Sequence, residues 1–373
     1  MTKTRIIYAN TKNSDMFYAV RTTIPDAFFL VELGARKVIF LDKREIGIFQ
    51  EHDTGKKFEV IPLEPLVEKA RQQTGAEGLV CRLALVIINE FAPRRGEAEV
   101  PAYFPLDMAD FLRSRGIFLK VVHPFFPERA VKNHFEIRAI ETSLKKTAAV
   151  YQRIEEILKR SSIAGDRIVF EQEALTSEFL KQEVDRVLLA QNMLNTEGII
   201  IASGKQAALP HHQGSGPLLP NEPIICDIFP KDTLSGYFAD MTRTYVKGVA
   251  SPEMRKIYRA VLRAQEAGIT SVKPGVACGD VHKACCDSFL KNGYDVGERG
   301  FVHNTGHGLG LDIHEPPYLS GASDDILKPG NIITVEPGLY YEERGSARIE
   351  DVLLVTETGS RNLTDYPRTL EIP

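Results

Sequence analysis

The chain has 373 residues, with 46 Lys and Arg against 50 Asp and Glu, for a net charge of −4 at neutral pH. Its length exceeds one ordinary domain and points to two, and 43% hydrophobic with 26% charged residues is the balance of a globular protein. The acidic balance excludes a broad nucleic-acid surface, and no stretch nears the roughly 20 apolar residues of a membrane span.

Residues 5–50 alternate short β-type runs (RIIYA, DAFFLVEL, KVIFLD) with turn signals, and GLVCRLALVII (78–88) is another apolar run. VPAYFPLDMADFLRSRG reads as a strand end and a short helix, and IFLKVVHPFF returns to strand character. This alternation predicts a compact α/β domain over 1–126. His52, Asp53 and Glu45 are scattered there and read as surface residues. Pro124 and Pro127 mark a linker. A helical pattern then spans 132–160 (Ile137, Ile140, Leu144, Ala148, Tyr151, Ile154, Leu158), and a second helix covers Ser177–Asn192. The β-rich pieces GIIIASG, PIICDIF and YFADMTRTYVKG follow. Ser251-Pro252 opens a helix with an N-cap and a proline in the first turn, a further helix spans Asp280–Asn292, and NIITVEPGLYY and SARIEDVLLVTET return to strand. Two helices and a strand pair, twice over, predict an internally duplicated domain over 132–373.

The amino terminus lacks the apolar segment of a secretory signal, so the expected location is the cytoplasm. Five cysteines, with Cys285 and Cys286 adjacent and none in a C-x-x-C pair, suggest neither a disulfide framework nor a thiolate zinc site.

Phe301–Glu315, FVHNTGHGLGLDIHE, concentrates His303, His307 and His314 in a glycine-rich run. Imidazole is a common metal ligand and titrates near neutral pH, and the flanking glycines let backbone or a ligand approach His307. Acidic residues fall where strands should be apolar: Asp227 in PIICDIF and Asp240 in YFADMTRTY, then Glu336 in IITVEPGLYY and Glu350 in ARIEDVLLV. The spacings are 13 (240 − 227) and 14 (350 − 336) residues, so two hairpins pair the acids. Buried ionised carboxylates cost several kcal/mol unless a cation pairs them. Four carboxylates and a histidine form an oxygen-rich set suited to Mn²⁺, Co²⁺, Fe²⁺ or Zn²⁺. Two ions with bridging acids balance the charge and hold a hydroxide as nucleophile.

The ordered motifs ALPH, Asp, Asp, HGLGLDIHEPP, ITVEPGLYY and ARIEDVLLVT over roughly 132–370 resemble the pita-bread metallopeptidases of family M24, in the Xaa-Pro aminopeptidase and prolidase branch. Residues 1–126 resemble the creatinase-type amino-terminal domain. The resemblance implies an α/β amino-terminal domain plus an α+β pita-bread catalytic domain with an internal pseudo-two-fold duplication. It implies that Asp227, Asp240, His307, Glu336 and Glu350 bind two divalent ions, manganese foremost and Co²⁺, Zn²⁺ or Fe²⁺ as alternatives. Asp240 and Glu350 would bridge, and Glu336 would also act as general base. His314 and His303 would contact the scissile peptide, His211 would line the substrate mouth, and Arg348 would pair with acids near the metals. His212 has no counterpart and reads as a solvated loop residue. The Asp227–Asp240 loop is two residues longer than usual and Phe229 replaces a customary glycine, which bears on pocket shape.

The implied activity is a dinuclear exopeptidase releasing the amino-terminal residue from peptides with proline in second position, with a homodimer as the assembly. An X-Pro amide has no N–H to grip, whereas carbonyl polarisation needs none. The alternatives are an Xaa-Pro dipeptidase (prolidase), a metal-free hydrolase like creatinase, and an inactive pita-bread binding module; the last two fit poorly with a full ligand set.

Overall fold

A computed structural model describes residues 4–53, 57–73, 77–92 and 97–373. The chain divides into two compact units, Met1–Arg129 and Ala130–Pro373. In the first, β1 (Thr4–Ala9), α1 (Ser14–Val20), β2 (Phe28–Leu33), β3 (Arg36–Leu41), α2 (Lys43–His52), β4 (Glu59–Pro62), α3 (Glu64–Gln72), α4 (Leu79–Phe91), β5 (Glu97–Pro101), α5 (Leu106–Ser114) and β6 (Phe118–Val122) follow in order. The six strands form a mixed sheet in the order β4-β3-β2-β1-β5-β6. Its apolar runs are continuous because both faces are covered. Phe29, Val31, Val38 and Phe40 pack with Leu83, Ile87 and Leu112, while Leu30 and Ile39 face Met16, Phe49 and Phe126.

The run 78–88, grouped with the β-type segments in the sequence, is the helix α4. Its thirteen residues exceed a typical strand, and Leu83 and Ile87, one turn apart, enter the same cluster. Helices α1 and α2 were not anticipated either. Their signals are the N-caps: Asn13 Oδ1 accepts from Met16 N at 3.0 Å and Asp42 Oδ1 from Arg44 N at 2.9 Å.

The second unit opens with α6 (His134–Arg160), started by a capping box between Asn133 and Glu136. The small strands β7 (Ser162–Ala164), β8 (Arg167–Phe170) and β9 (Glu173–Ala174) make one sheet, and α7 (Ser177–Ala190) follows. Next come β10 (Met193–Leu194), β11 (Ile199–Ser203), β12 (Pro223–Ile228), β13 (Lys231–Asp232) and β14 (Met241–Lys247). The plan then repeats with α8 (Pro252–Ser271), capped by Ser251 as expected, and α9 (Cys278–Lys291). Strands β15 (Gly306–Gly308), β16 (Glu315–Leu319), β17 (Ile332–Val335), β18 (Gly338–Tyr341), β19 (Gly345–Arg348), β20 (Asp351–Val355), β21 (Ser360–Asn362) and β22 (Glu371–Ile372) complete it.

The first half builds the sheet β11-β12-β14, to which β22 from the second half adds an edge, and the second builds β16-β15-β17-β20-β21. Both central pairs are antiparallel: Asp227 lies opposite Thr242, and Val335 opposite Asp351. The halves are stitched at a seam where Glu350 N donates to Thr242 O at 3.1 Å and Thr244 Oγ1 donates to Arg348 O at 2.8 Å. Of the four acids expected inside strands, only Asp227 is. Asp240 just precedes β14, Glu336 follows β17, and Glu350 lies between β19 and β20. Pro337 has no N–H to continue a ladder, and the Glu350 N–H is given across the seam.

Candidate metal centre

Each half delivers its acids by a different device. In the first, α6 pins the hairpin from behind: Tyr151 OH donates to Cys226 O at 3.1 Å and also bonds Met241 O. The connecting loop is folded by Asp232, whose Oδ1 accepts from Leu234 N at 3.0 Å and Ser235 N at 2.7 Å. Phe238 N then donates to Gly310 O at 2.9 Å, so Asp240 arrives beside the histidine run. In the second half, β15 threads between β16 and β17. A Cβ at position 306 would stand 2.0 Å from Thr334 O, so glycine is required there by the neighbouring backbone rather than by a ligand.

His307 Nδ1 lies 3.1 Å from Gly308 O, so that nitrogen carries the hydrogen. Nε2 therefore aims a bare lone pair at Glu336 Oε1, 3.2 Å away, and at Asp240 Oδ2, 3.7 Å away. Asp240, His307 and Glu350 each place a ligating atom within 4.8 Å of the others, the one such group of three among the described residues. Asp227 Oδ1, Asp240 Oδ1 and Glu350 Oε1 are buried with no hydrogen-bond partner. Burial, with neighbouring Glu350 and Asp227, pushes the Asp240 carboxyl well above its ordinary range. Burial, with Glu336 and Asp227, does the same to Glu350. Glu336 is pushed up to about 8 by burial, Arg348 opposing and Asp227 adding. Lone pairs and acids crowded together without donors are stable only with protons or cations among them, and the oxygen-rich donors fit divalent ions.

The expected ligands Asp227, Asp240, His307, Glu336 and Glu350 line one cavity of about 560 Å³ together with His211, His303, His314 and Arg348. His314 is exposed on its wall, its ring edge-on to His307 with centroids 4.3 Å apart. Burial, then His307, lowers its pKa to about 4. His211 is exposed at the lip. His212 is half-buried rather than solvated, its Nδ1 accepting from Gly214 N at 2.9 Å. Arg348 Nη2 donates to Asp227 Oδ2 at 2.6 Å and Nη1 to Tyr340 OH at 2.7 Å. Tyr340 OH in turn lies 2.9 Å from His303 Nε2, while His303 Nδ1 lies 2.7 Å from Asn304 O. Burial, then Arg348, lowers the His303 pKa to about 3, so the ring is neutral with both nitrogens engaged.

Tyr340 escaped the sequence reading. Its signal is strand alternation in GLYY: Tyr340 OH turns to His303 and Arg348, which line the cavity, while Tyr341 OH turns away to Asp295. Thr334 was missed too; its hydroxyl accepts from His307 N at 3.1 Å and reaches Glu336 Oε1 at 3.3 Å.

The family model described as metallopeptidase family M24 matches residues 138–357. An uncharacterized peptidase, YqhT of Bacillus subtilis, is 32% identical over 245 residues, covering 65% of each chain. The Xaa-Pro dipeptidase of Pyrococcus horikoshii is 30% identical over 296 residues, 75% of this chain and 83% of that protein. The chain spans 60–65% of the length of several other curated relatives, among them dipeptidases named as probable. An Xaa-Pro dipeptidase structure from Bacillus anthracis superposes with a TM-score of 0.81 at 23% identity, over 100% of this chain and 95% of that one. That likeness shows the fold: an α/β amino-terminal domain and a duplicated α+β pita-bread domain. With the family model covering more than half its length, the chain belongs to metallopeptidase family M24.

Proposed function

We propose that the protein is a metal-dependent Xaa-Pro dipeptidase. The observation that carries the reading is the set of orphaned buried carboxylate oxygens gathered with His307 in one cavity. Asp227, Asp240, His307, Glu336 and Glu350 would hold two divalent ions. When bound, the ions neutralise the carboxylates, polarise the scissile carbonyl and acidify the attacking water. Glu336 takes that water's proton and passes it to the leaving proline nitrogen. His314, exposed on the cavity wall, donates to the carbonyl oxygen as it gains charge. His303 acts as a positioning residue, holding Tyr340 against Arg348 and so fixing Asp227.

The sequence reading placed aminopeptidase first and dipeptidase second. The relatives named Xaa-Pro dipeptidase support the reverse order. The first unit is assigned as the creatinase-type amino-terminal domain, supported by the full-length likeness to a dipeptidase. The deciding experiment compares Xaa-Pro dipeptides with Xaa-Pro-Yaa tripeptides, with Mn²⁺ or Co²⁺ added after chelation. Dipeptide turnover dominating, and vanishing on chelation, is expected. Preference for tripeptides restores the aminopeptidase reading, and turnover after verified metal removal overturns both.

A further inference from the structure

A second cavity, of about 500 Å³, opens beside α9, away from the carboxylate cluster. His282 and Cys286, one helical turn apart, both line it, with Nε2 and Sγ separated by 3.3 Å. Zinc–sulfur and zinc–nitrogen bonds of about 2.3 and 2.0–2.1 Å at a tetrahedral angle set their two ligand atoms about 3.5 Å apart. The observed separation is close to that bite. The ring is also held as a ligand ring is held. His282 Nδ1 lies 3.0 Å from Oγ1 of the fully buried Thr305, which directs Nε2 at the sulfur.

Access is built in. Gly321 forms one wall, and its missing side chain leaves the Nε2 edge open: a Cβ there would lie 3.8 Å from that nitrogen. Asp280 and Asp324 line the same cavity with Lys283, whose ammonium is paired with Asp287, so the balance of charge favours a cation. Cys286 is half-exposed, whereas the other four cysteines are buried. The absence of a C-x-x-C pair hid this site from the sequence reading; its signature is H-x-x-x-C on one helical face.

We propose that His282 and Cys286 form a second metal site, for soft or borderline divalent cations such as Zn²⁺ and Cd²⁺, with water completing the shell. In the ion-free pair the thiol donates to Nε2. On binding, one metal–sulfur and one metal–nitrogen bond form and the thiol proton leaves to solvent. The nitrogen–sulfur pair and the oxygen-rich cluster thus differ in the metals they prefer.

The test uses the full chain, first saturated with Mn²⁺ and then titrated with Cd²⁺ while thiolate-to-cadmium charge-transfer absorption is followed. The oxygen-rich cluster has no thiol and is silent. The native protein is expected to saturate at one equivalent, Cys286→Ser to show no band, and His282→Asn to need at least about 10-fold more cadmium. Absence of the band in the native protein, its persistence in Cys286→Ser, or native-like titration of His282→Asn overturns the proposal. If either variant fails to fold, alkylation of the native protein with iodoacetamide decides. Cd²⁺ should protect Cys286, mapped by peptide mass, and unprotected alkylation overturns the site.

Discussion

Glu350 and Asp351 are consecutive carboxylic side chains and equally buried, yet the chain treats them in opposite ways. Asp351 Oδ1 accepts from Arg243 Nη2 at 2.9 Å, and its Oδ2 accepts from Asn362 Nδ2 at 2.8 Å and pairs with Arg368. Arg243 spends its remaining donors on the carbonyls of Thr242, Glu350, Tyr366 and Pro367. One residue earlier, Glu350 Oε2 has Thr242 Oγ1 at 2.8 Å, but Oε1 has no partner. Alternation along the chain sends the two carboxylates to opposite sides of the seam. On one side charges are matched donor for acceptor; on the other, acceptors accumulate. Burial alone does not mark a functional acid; several donor-free acid oxygens gathered in one cavity make the candidate.

The largest effect is expected at Glu336. Glu336→Gln keeps the shape but removes the base, and kcat on an Xaa-Pro dipeptide should fall by about 10³-fold or more, with circular dichroism unchanged. Normal turnover in this variant would remove the catalytic side of the contrast. On the matched side, Arg243→Leu takes the donors from Asp351 Oδ1 and from four backbone carbonyls and should lower stability in urea by about 3–5 kcal/mol. Should it instead leave stability intact, Arg243 and Asp351 would not be the structural pair drawn here.

His314→Ala should lower kcat by about 10²–10³-fold, or 2.7–4 kcal/mol, with metal content retained by elemental analysis. Loss of metal in this variant would move His314 among the ligands. The unmatched side also carries a pH signature. Glu336 rises from its ordinary 4.5 to about 8 in the ion-free chain, so the folded state keeps a proton that the unfolded state has released. Stability of the ion-free chain should therefore fall as pH rises from 4.5 to about 8, with Asp240 and Glu350 pushing in the same direction. Added Mn²⁺ at 100 times its Kd is worth about 2.7 kcal/mol, and calorimetry should show a larger rise in Tm at the upper end of that window than at the lower. Equal rises at both ends would mean that the ions do not replace protons. The smallest effect is expected at Tyr340→Phe, which removes one hydroxyl between Arg348 and His303. It should lower kcat/KM by about 10-fold, in keeping with about 1 kcal/mol per hydrogen bond; a loss as large as that of Glu336→Gln would make Tyr340 a catalytic group.

Much of the arrangement was legible because its signals are chemical. Acids at 227, 240, 336 and 350 interrupt apolar runs at near-equal spacing, and the histidines at 303, 307 and 314 sit among glycines. What stayed hidden depends on contacts between distant segments. Lys132 and Glu315 form a fully buried pair 2.6 Å apart that ties the start of α6 to the strand after His314, and neither residue announces the other in the sequence. The roles of Tyr340 and Tyr341 separate only once the strand's facing is known. The run at 78–88 is apolar nearly all round, so its period could not distinguish helix from buried strand.

The seam between the halves also sets a timetable. Thr242 and Glu350, bonded across it, are 108 residues apart in the chain. Closing so long a loop is entropically costly, and contacts of such separation form slowly. During synthesis the first pair of acids leaves the ribosome well before the second, and chains grow at about 5–20 residues per second. The growing chain therefore spends several seconds with Asp227 and Asp240 in place but no His307, Glu336 or Glu350 to join them. The proposed ligand set is complete only when the last third of the chain has emerged, so an incomplete chain is expected to be chemically silent.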